Sequence, residues 1–161
     1  YISSTSAVDI SGYVFVAPHL GFRSNTAREN NPHAFAEVNT TAFVINGITQ
    51  GLLFGHKRAV RFNYPAELLE SDSGLVGYNT VNMANALTPA APDEQLARIT
   101  ESLGVWIGEK DELLAPGKVA SFVKNSNSSA QIETVAGEQH LSILLKAADL
   151  IGPWIQSHIG K

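Results

Sequence analysis

The sequence predicts an α/β fold built on a mostly parallel sheet, and three observations lead there. Short apolar runs, Tyr13 to Val16, Leu103 to Ile107 and Gln131 to Val135, have the length and β-branched character of buried strands. Between and after the last two lie segments of helical character, giving the order strand, helix, strand, helix, as in a parallel sheet covered on both faces. The chain also has 161 residues, 44% of them apolar and 16% charged, which suffices for a buried core.

The elements follow in order. DISGYVFVAPHLG (residues 9 to 21) has a polar start, the run Tyr13 to Val16 and a stop at Pro18, and reads as a buried strand. Residues 23 to 41, rich in Asn, Thr and Arg, read as loop. Ala42 to Phe54 is apolar, with Gly47, Gly51 and Gly55 at four-residue steps. On a helix those glycines would share a face; the stretch reads equally as a strand followed by a helix. His56, Lys57 and Arg58 suit a helix C-terminus, where cations meet the negative end of the dipole. A helix is expected near 75 to 87, ended by Thr88-Pro89, and another over 92 to 103, with Pro92 in its first turn. Leu103 to Ile107 is the next strand, Pro116 to Val123 a helix, 125 to 130 a turn and Gln131 to Val135 a strand. In the last helix Leu144, Ala148, Ile151 and Ile155 would form one apolar face, with a kink or restart at Gly152-Pro153. Trp106 and Trp154 are expected in the core.

Composition excludes several classes. A net charge of −4 leaves no basic footprint, so nucleic acid is not the expected partner. Cys is absent, which removes disulfides, thiolate nucleophiles and Cys-based metal sites. No apolar run approaches the roughly 20 residues that span a bilayer. No signal peptide is visible, so a soluble protein is expected, with the cytoplasm favoured. The five His residues (19, 33, 56, 140 and 158) form no close ligand pair, and H-E-x-x-H, the P-loop and G-x-G-x-x-G are all missing, so no metal or cofactor is expected. Glu109, Asp111 and Glu112 lack the spacing of a calcium loop.

In a parallel sheet, sites collect at the carboxyl ends of the strands. Asp111 follows the strand 103 to 107, and His140 follows the strand 131 to 135. Their separation, 140 − 111 = 29 residues, is about one strand–helix–strand unit, which brings both to the same sheet edge on neighbouring strands. Alone, each reads as ordinary, an acidic solvated turn or a His at a helix start. Together they have a defined use. The carboxylate accepts the Nδ1 proton, fixes the tautomer and stabilises the imidazolium, and the His acts as general base toward a nucleophile. Asp111 is the candidate acid; Glu109 and Glu112 are expected to be solvated turn.

GVWIGEKDELL, followed by VAGEQHLSILLKAADLIGPWI, resembles the last two strands and final helix of the α/β-hydrolase family. There a strand ends in a GxxD-type turn bearing the triad acid, and the catalytic His precedes the last helix. DISGYVFVAPHLG resembles the family's strand after the nucleophile helix. The resemblance implies the C-terminal part of an α/β-hydrolase fold. Residues 1–22 would be a core strand, 23–100 a helical cap insertion, and 101–161 the C-terminal core with Asp111 as acid and His140 as base. It covers the whole chain as an architecture and is specific over about residues 103 to 156.

The family's chain order is nucleophile, acid, His, with Ser on a G-x-S-x-G elbow. The sequence has no G-x-S-x-G and begins at Tyr1, not Met. The expectation is therefore a processed or truncated chain of a serine hydrolase, esterase or lipase-like, whose Ser and oxyanion hole lie upstream. An N-terminal half or second chain is expected to cover the exposed sheet edge. The expected substrate is a small ester with an apolar acyl group, shaped by Phe35, Phe43, Leu52, Leu53 and Phe54. The Gly47–Gly51 stretch spells G-x-T-x-G, but the extra methyl of Thr49 crowds a strained elbow, and the resemblance puts it in the cap. The alternative is a non-catalytic α/β binding or scaffold domain that lacks a nucleophile.

Overall fold

The computed structural model describes residues 10–21, 24–28, 36–64, 66–70, 74 and 76–158. His33 and Phe35 lie outside them, as do residues 1–9 and 29–35. The chain divides into two compact units, one formed by Tyr1–Asn30 and Ala90–Lys161, the other by Asn31–Pro89.

The first unit is α/β. Its sheet has the order β1 (Gly12–Val16), β5 (Ser102–Gly108), β6 (Gln131–Val135), all parallel. Successive side chains of the central strand β5 go to opposite faces, and both faces are covered. Leu103, Val105 and Ile107 join Leu96 of helix α4 (Pro92–Ala97) and Val119 and Val123 of helix α5 (Pro116–Ser126). Trp106, on the other face, packs with Ile143 of α6 (Ser142–Leu145) and Trp154 of α7 (Ala147–His158). The two indoles meet edge to face at 5.7 Å. Gly104 makes room for them: a Cβ there would lie 2.5 Å from the Trp106 ring and 2.9 Å from that of Trp154.

Strand expectations in this unit agree with the structure to within a residue, and both α4 and α5 open with Pro in the first turn. The helix expected over 92 to 103 stops at Ala97, because Asn127 Nδ2 takes the Leu96 and Ile99 carbonyls (3.0 and 2.9 Å) and β5 must begin. The final helix breaks at Lys146 and runs through Pro153. Its buried face is also only partly the expected one. Leu144 and Ile155 are exposed and Ile143 is buried instead, while Ile151 packs beside Trp154, which lies in the core as expected, in space that Gly104 opens.

The second unit is mixed. It holds an antiparallel sheet, β2 (Ala36–Val38), β3 (Arg58–Phe62) and β4 (Tyr78–Thr80), with helices α1 (Thr40–Ile48), α2 (Ala66–Glu70) and α3 (Val81–Leu87). A helical insertion was expected over 23–100; the described residues there hold a three-stranded sheet as well as helices. Asn39 caps α1 and Thr80 caps α3 by accepting main-chain N–H bonds from Ala42 and Met83. Helix α1 ends at Ile48, before Gln50 and Gly51 turn left-handed (φ 51° and 87°). Gly47, Gly51 and Gly55 therefore share no helical face. Arg58 belongs to a strand, not to a helix C-terminus. A small core of Ala42, Ala59 and Val81, with Phe43 against it, holds this unit. Among the described residues no helix is long and apolar enough to cross a membrane.

Candidate active site

The turn after β5 and the loop after β6 are locked together by main chain. Glu109 N–H donates to Val135 O (2.9 Å) and Lys110 N–H to Glu138 O (2.8 Å). Gly108 is glycine because the Glu138 carbonyl passes over it; a Cβ would collide with that carbonyl. The glycine of the GxxD turn thus lets the second loop come close enough to reach the acid.

Asp111 is fully buried. Its Oδ1 accepts the N–H groups of Leu113 (2.9 Å) and Leu114 (2.7 Å), which closes the turn. Its Oδ2 lies 2.9 Å from His140 Nδ1. The two side chains singled out from sequence are therefore brought together, with the acid at 0% exposure and the imidazole at 22%. His140 is held a second time, since its main-chain N–H donates to Glu112 Oε2 (3.1 Å). Glu112 is thus a strut under the loop, not merely solvated. Glu109 likewise accepts the Gly137 N–H through Oε2 (2.9 Å).

Two supports were not read from the sequence. Arg28 donates through Nε to the Asp111 carbonyl and through Nη2 to the Glu109 carbonyl (3.3 Å). Its own N–H bonds Leu113 O (2.9 Å), Ala115 N–H bonds Thr26 O (2.9 Å), and Ala27 bridges Leu114. Thr26 to Arg28 thus form a short strap along the acid turn. The strap rests on buried Ser24 and Thr26, whose hydroxyls bond each other at 2.8 Å. The second support holds the His loop. Glu138 takes Lys146 Nζ on Oε1 (2.5 Å) and the Ser142 hydroxyl on Oε2 (2.6 Å), and Ser142 Oγ accepts the Gln139 N–H (2.8 Å). The Lys146 bond first, then that of Ser142, holds the Glu138 carboxyl below the usual carboxylate range, against a smaller opposing effect of burial.

A second imidazole belongs to this edge. His19 follows β1 in the same loop as Ala17, which has a left-handed φ of 44° and donates its N–H to Trp106 O (2.8 Å). Partial burial, and secondarily the charge of His140, push the His19 imidazole below its ordinary value. Its position past a strand end was the available signal, but His19 was considered only as a metal ligand.

Other candidates resolve differently. Thr49 caps the C-terminal end of α1: its hydroxyl donates to Ile45 O (2.7 Å) and accepts the Leu53 N–H (3.2 Å). It follows a helix, whereas an elbow needs a strand before the turn. Of the residues expected to shape an acyl site, Phe43 packs on the small core of its own unit. Leu52, Leu53 and Phe54 are exposed, and Phe35 lies outside the described residues. No protein-family model matches the chain, and neither curated proteins nor solved structures give a significant match. The site must be judged on its own geometry.

Proposed function

We propose that this chain supplies the acid and base of a Ser-Asp-His hydrolase of esterase or lipase type, as the C-terminal part of an α/β-hydrolase. The carrying observation is the 2.9 Å pair of buried Asp111 Oδ2 and His140 Nδ1 at the carboxyl edge of a parallel sheet. Asp111 holds His140 with its proton on Nδ1, which leaves Nε2 to accept a proton from a nucleophile. That nucleophile, a Ser on an upstream segment or a second chain, would attack the ester carbonyl with its oxyanion hole from upstream backbone. The order β1-β5-β6 supports this: β1 is half-buried along all five residues and, among the described strands, pairs only with β5. Its outer edge is where a preceding strand would add. Leu141, Leu144 and Leu145, directly after His140 and 55%, 52% and 88% exposed, give an apolar surface suited to an acyl group. In this reading the unit Asn31–Pro89 occupies the cap position in the chain.

The test is to express the chain with its upstream coding sequence and treat it with a fluorophosphonate. A G-x-S-x-G serine should be labelled, and His140→Ala should abolish both labelling and ester hydrolysis. Absence of labelling despite such a serine, or unchanged hydrolysis in His140→Ala, would sink the proposal.

One observation favours the non-catalytic alternative. Asp111 Oδ1 closes its turn through two main-chain bonds, a structural task that needs no catalysis. On that reading Asp111→Asn changes stability alone. An upstream coding region ending in a nucleophile elbow counts against it.

A further inference from the structure

The unit Asn31–Pro89 displays an apolar tip that its own core does not use. Leu52 is 87% exposed, Leu53 55% and Phe54 41%. Val44 and Ile48, one turn apart on α1 and leading toward the tip, are 57% and 78% exposed. Side chains this apolar scattered singly would need no explanation, but five in one local stretch do.

The tip is built. Asn46, itself buried, donates through Nδ2 to Leu53 O (2.8 Å), and Leu53 N–H donates to Thr49 Oγ1 (3.2 Å). Lys57 N–H closes the far side on Phe54 O (2.9 Å), and Asn82 N–H holds Gly55 O (2.9 Å). Within this frame Gln50 and Phe54 keep left-handed backbones (φ 51° and 63°), which cost free energy in non-glycine residues, most of all in a bulky aromatic. Gln50 is the left-handed residue that ends α1, but Phe54 has no helix to end, and its left-handed backbone is held while its ring stays exposed.

Charge identifies what it meets. From residue 38 to residue 65 there is no Asp or Glu, and Lys57 and Arg58 follow the tip with His56 beside them, while Arg61 sits opposite Glu37 on the neighbouring strand. Lys57 Nζ sits 5.8 Å from the centre of the Phe54 ring, so a cation flanks the apolar tip directly. Arg58 lies over the Tyr78 ring at 3.9 Å. An apolar tip flanked by Lys57, on a stretch without carboxylates, complements the boundary of an anionic bilayer, where side chains enter the acyl region and cations meet phosphates. We propose that the Leu52–Phe54 tip, with Val44 and Ile48, docks this protein on an anionic phospholipid surface. The proposal stands apart from the hydrolase reading, and failure of either leaves the other intact.

Flotation of the 161-residue chain with vesicles tests it. Vesicles containing about one-third phosphatidylglycerol in phosphatidylcholine should bind the chain at least about tenfold better than phosphatidylcholine alone, and added salt should weaken the binding. Leu52→Asp/Leu53→Asp should reduce it by at least about tenfold. Leu52→Asp alone, at the most exposed position of the tip, should act in the same direction with an unchanged far-ultraviolet spectrum. Lys57→Glu should cost about fivefold or more, as expected for a cation near an anionic surface. No binding to anionic vesicles overturns the proposal, as does unchanged binding of Leu52→Asp. So does a lipid-free dimer that Leu52→Asp dissociates, since a second copy would then be the occupant.

Discussion

Asp111→Asn separates the two tasks of the buried acid. The substitution keeps the shape and one oxygen, which stays on the Leu113 and Leu114 N–H groups at 2.9 and 2.7 Å. It replaces Oδ2, 2.9 Å from His140 Nδ1, with an NH₂ group that can only donate. His140 must then present Nδ1 as an acceptor and carry its proton on Nε2. Two of three accepted bonds survive, and the third changes from charge-assisted to neutral, so the stability loss should be about 1 kcal/mol. For a domain of this size that is about 2–4 °C in Tm. Asp111→Ala leaves two main-chain donors without their acceptor and should cost about 3–5 kcal/mol. Nitrogen-15 NMR of the imidazole reads the tautomer directly and needs no nucleophile. The expected result is a proton on Nδ1 in the parent chain, on Nε2 in Asp111→Asn, and near-parental urea stability. With a serine present, the same change should lower kcat by about 10⁴-fold, because Nε2 no longer accepts a proton. If Asp111→Asn leaves the tautomer unchanged, the hydrogen bond does not set it and the relay reasoning fails.

Further predictions concern the frame. Gly108→Ala should destabilise more than Gly104→Ala, because its Cβ meets the Glu138 main-chain carbonyl, whereas that of Gly104 meets the edges of two indoles. Urea midpoints should show about 1–3 kcal/mol for Gly104→Ala and at least that much for Gly108→Ala. The Glu138 carboxyl is held below its ordinary 4.5 by Lys146 and then Ser142, so its stabilisation is present above that value and lost as pH falls through the folded value. Lys146→Met should flatten the acid limb of a Tm-against-pH profile; an unchanged limb refutes the assignment. His19 is pushed below 6.5 by burial and then by His140, so the fold disfavours its protonation. Stability should be complete above 6.5 and decline as pH drops from there toward the folded value. His19→Gln should remove that decline.

The parallel core was legible because its strands are continuous apolar runs between turn residues, and the order of runs and helices fixes a parallel sheet. The insertion was less legible. β2 and β4 are three residues each, too short to show a period, and β3 follows a cationic cluster that reads as well at a helix end. The left-handed turn at Gln50 and Gly51, which ends α1, carries no Pro or Asn-Gly signal. The apolar face of the last helix was partly misplaced because the break at Lys146 takes Leu144 out of register with Ile151 and Ile155, which spacing along one continuous helix cannot show. Asp111 and His140 could be paired because sheet topology converts a 29-residue separation into adjacency. Arg28 could not, since it serves main-chain carbonyls 83 and 81 residues away and no side chain advertises the pairing.

The supports bear on how the site is to be read. A buried carboxylate needs donors for both oxygens, and a turn supplies them for one. A structural turn could satisfy the second oxygen with another main-chain N–H, or use Asn and need less. Here it faces an imidazole with 22% of its side chain exposed, and the main chain that carries that imidazole is held at several points. Glu112 holds its N–H, Glu109 and Gly108 hold the loop before it, and Ser142 with Glu138 holds the main chain beside it. Arg28 holds the acid turn through carbonyl groups, leaving the carboxylate itself to His140 and the turn. A fold that needed only a closed turn would not require the loop bearing a partly exposed ring to be held beside the acid. Burial of the acid and access to the imidazole, on loops held together by main chain, are the features that the proposed relay would use.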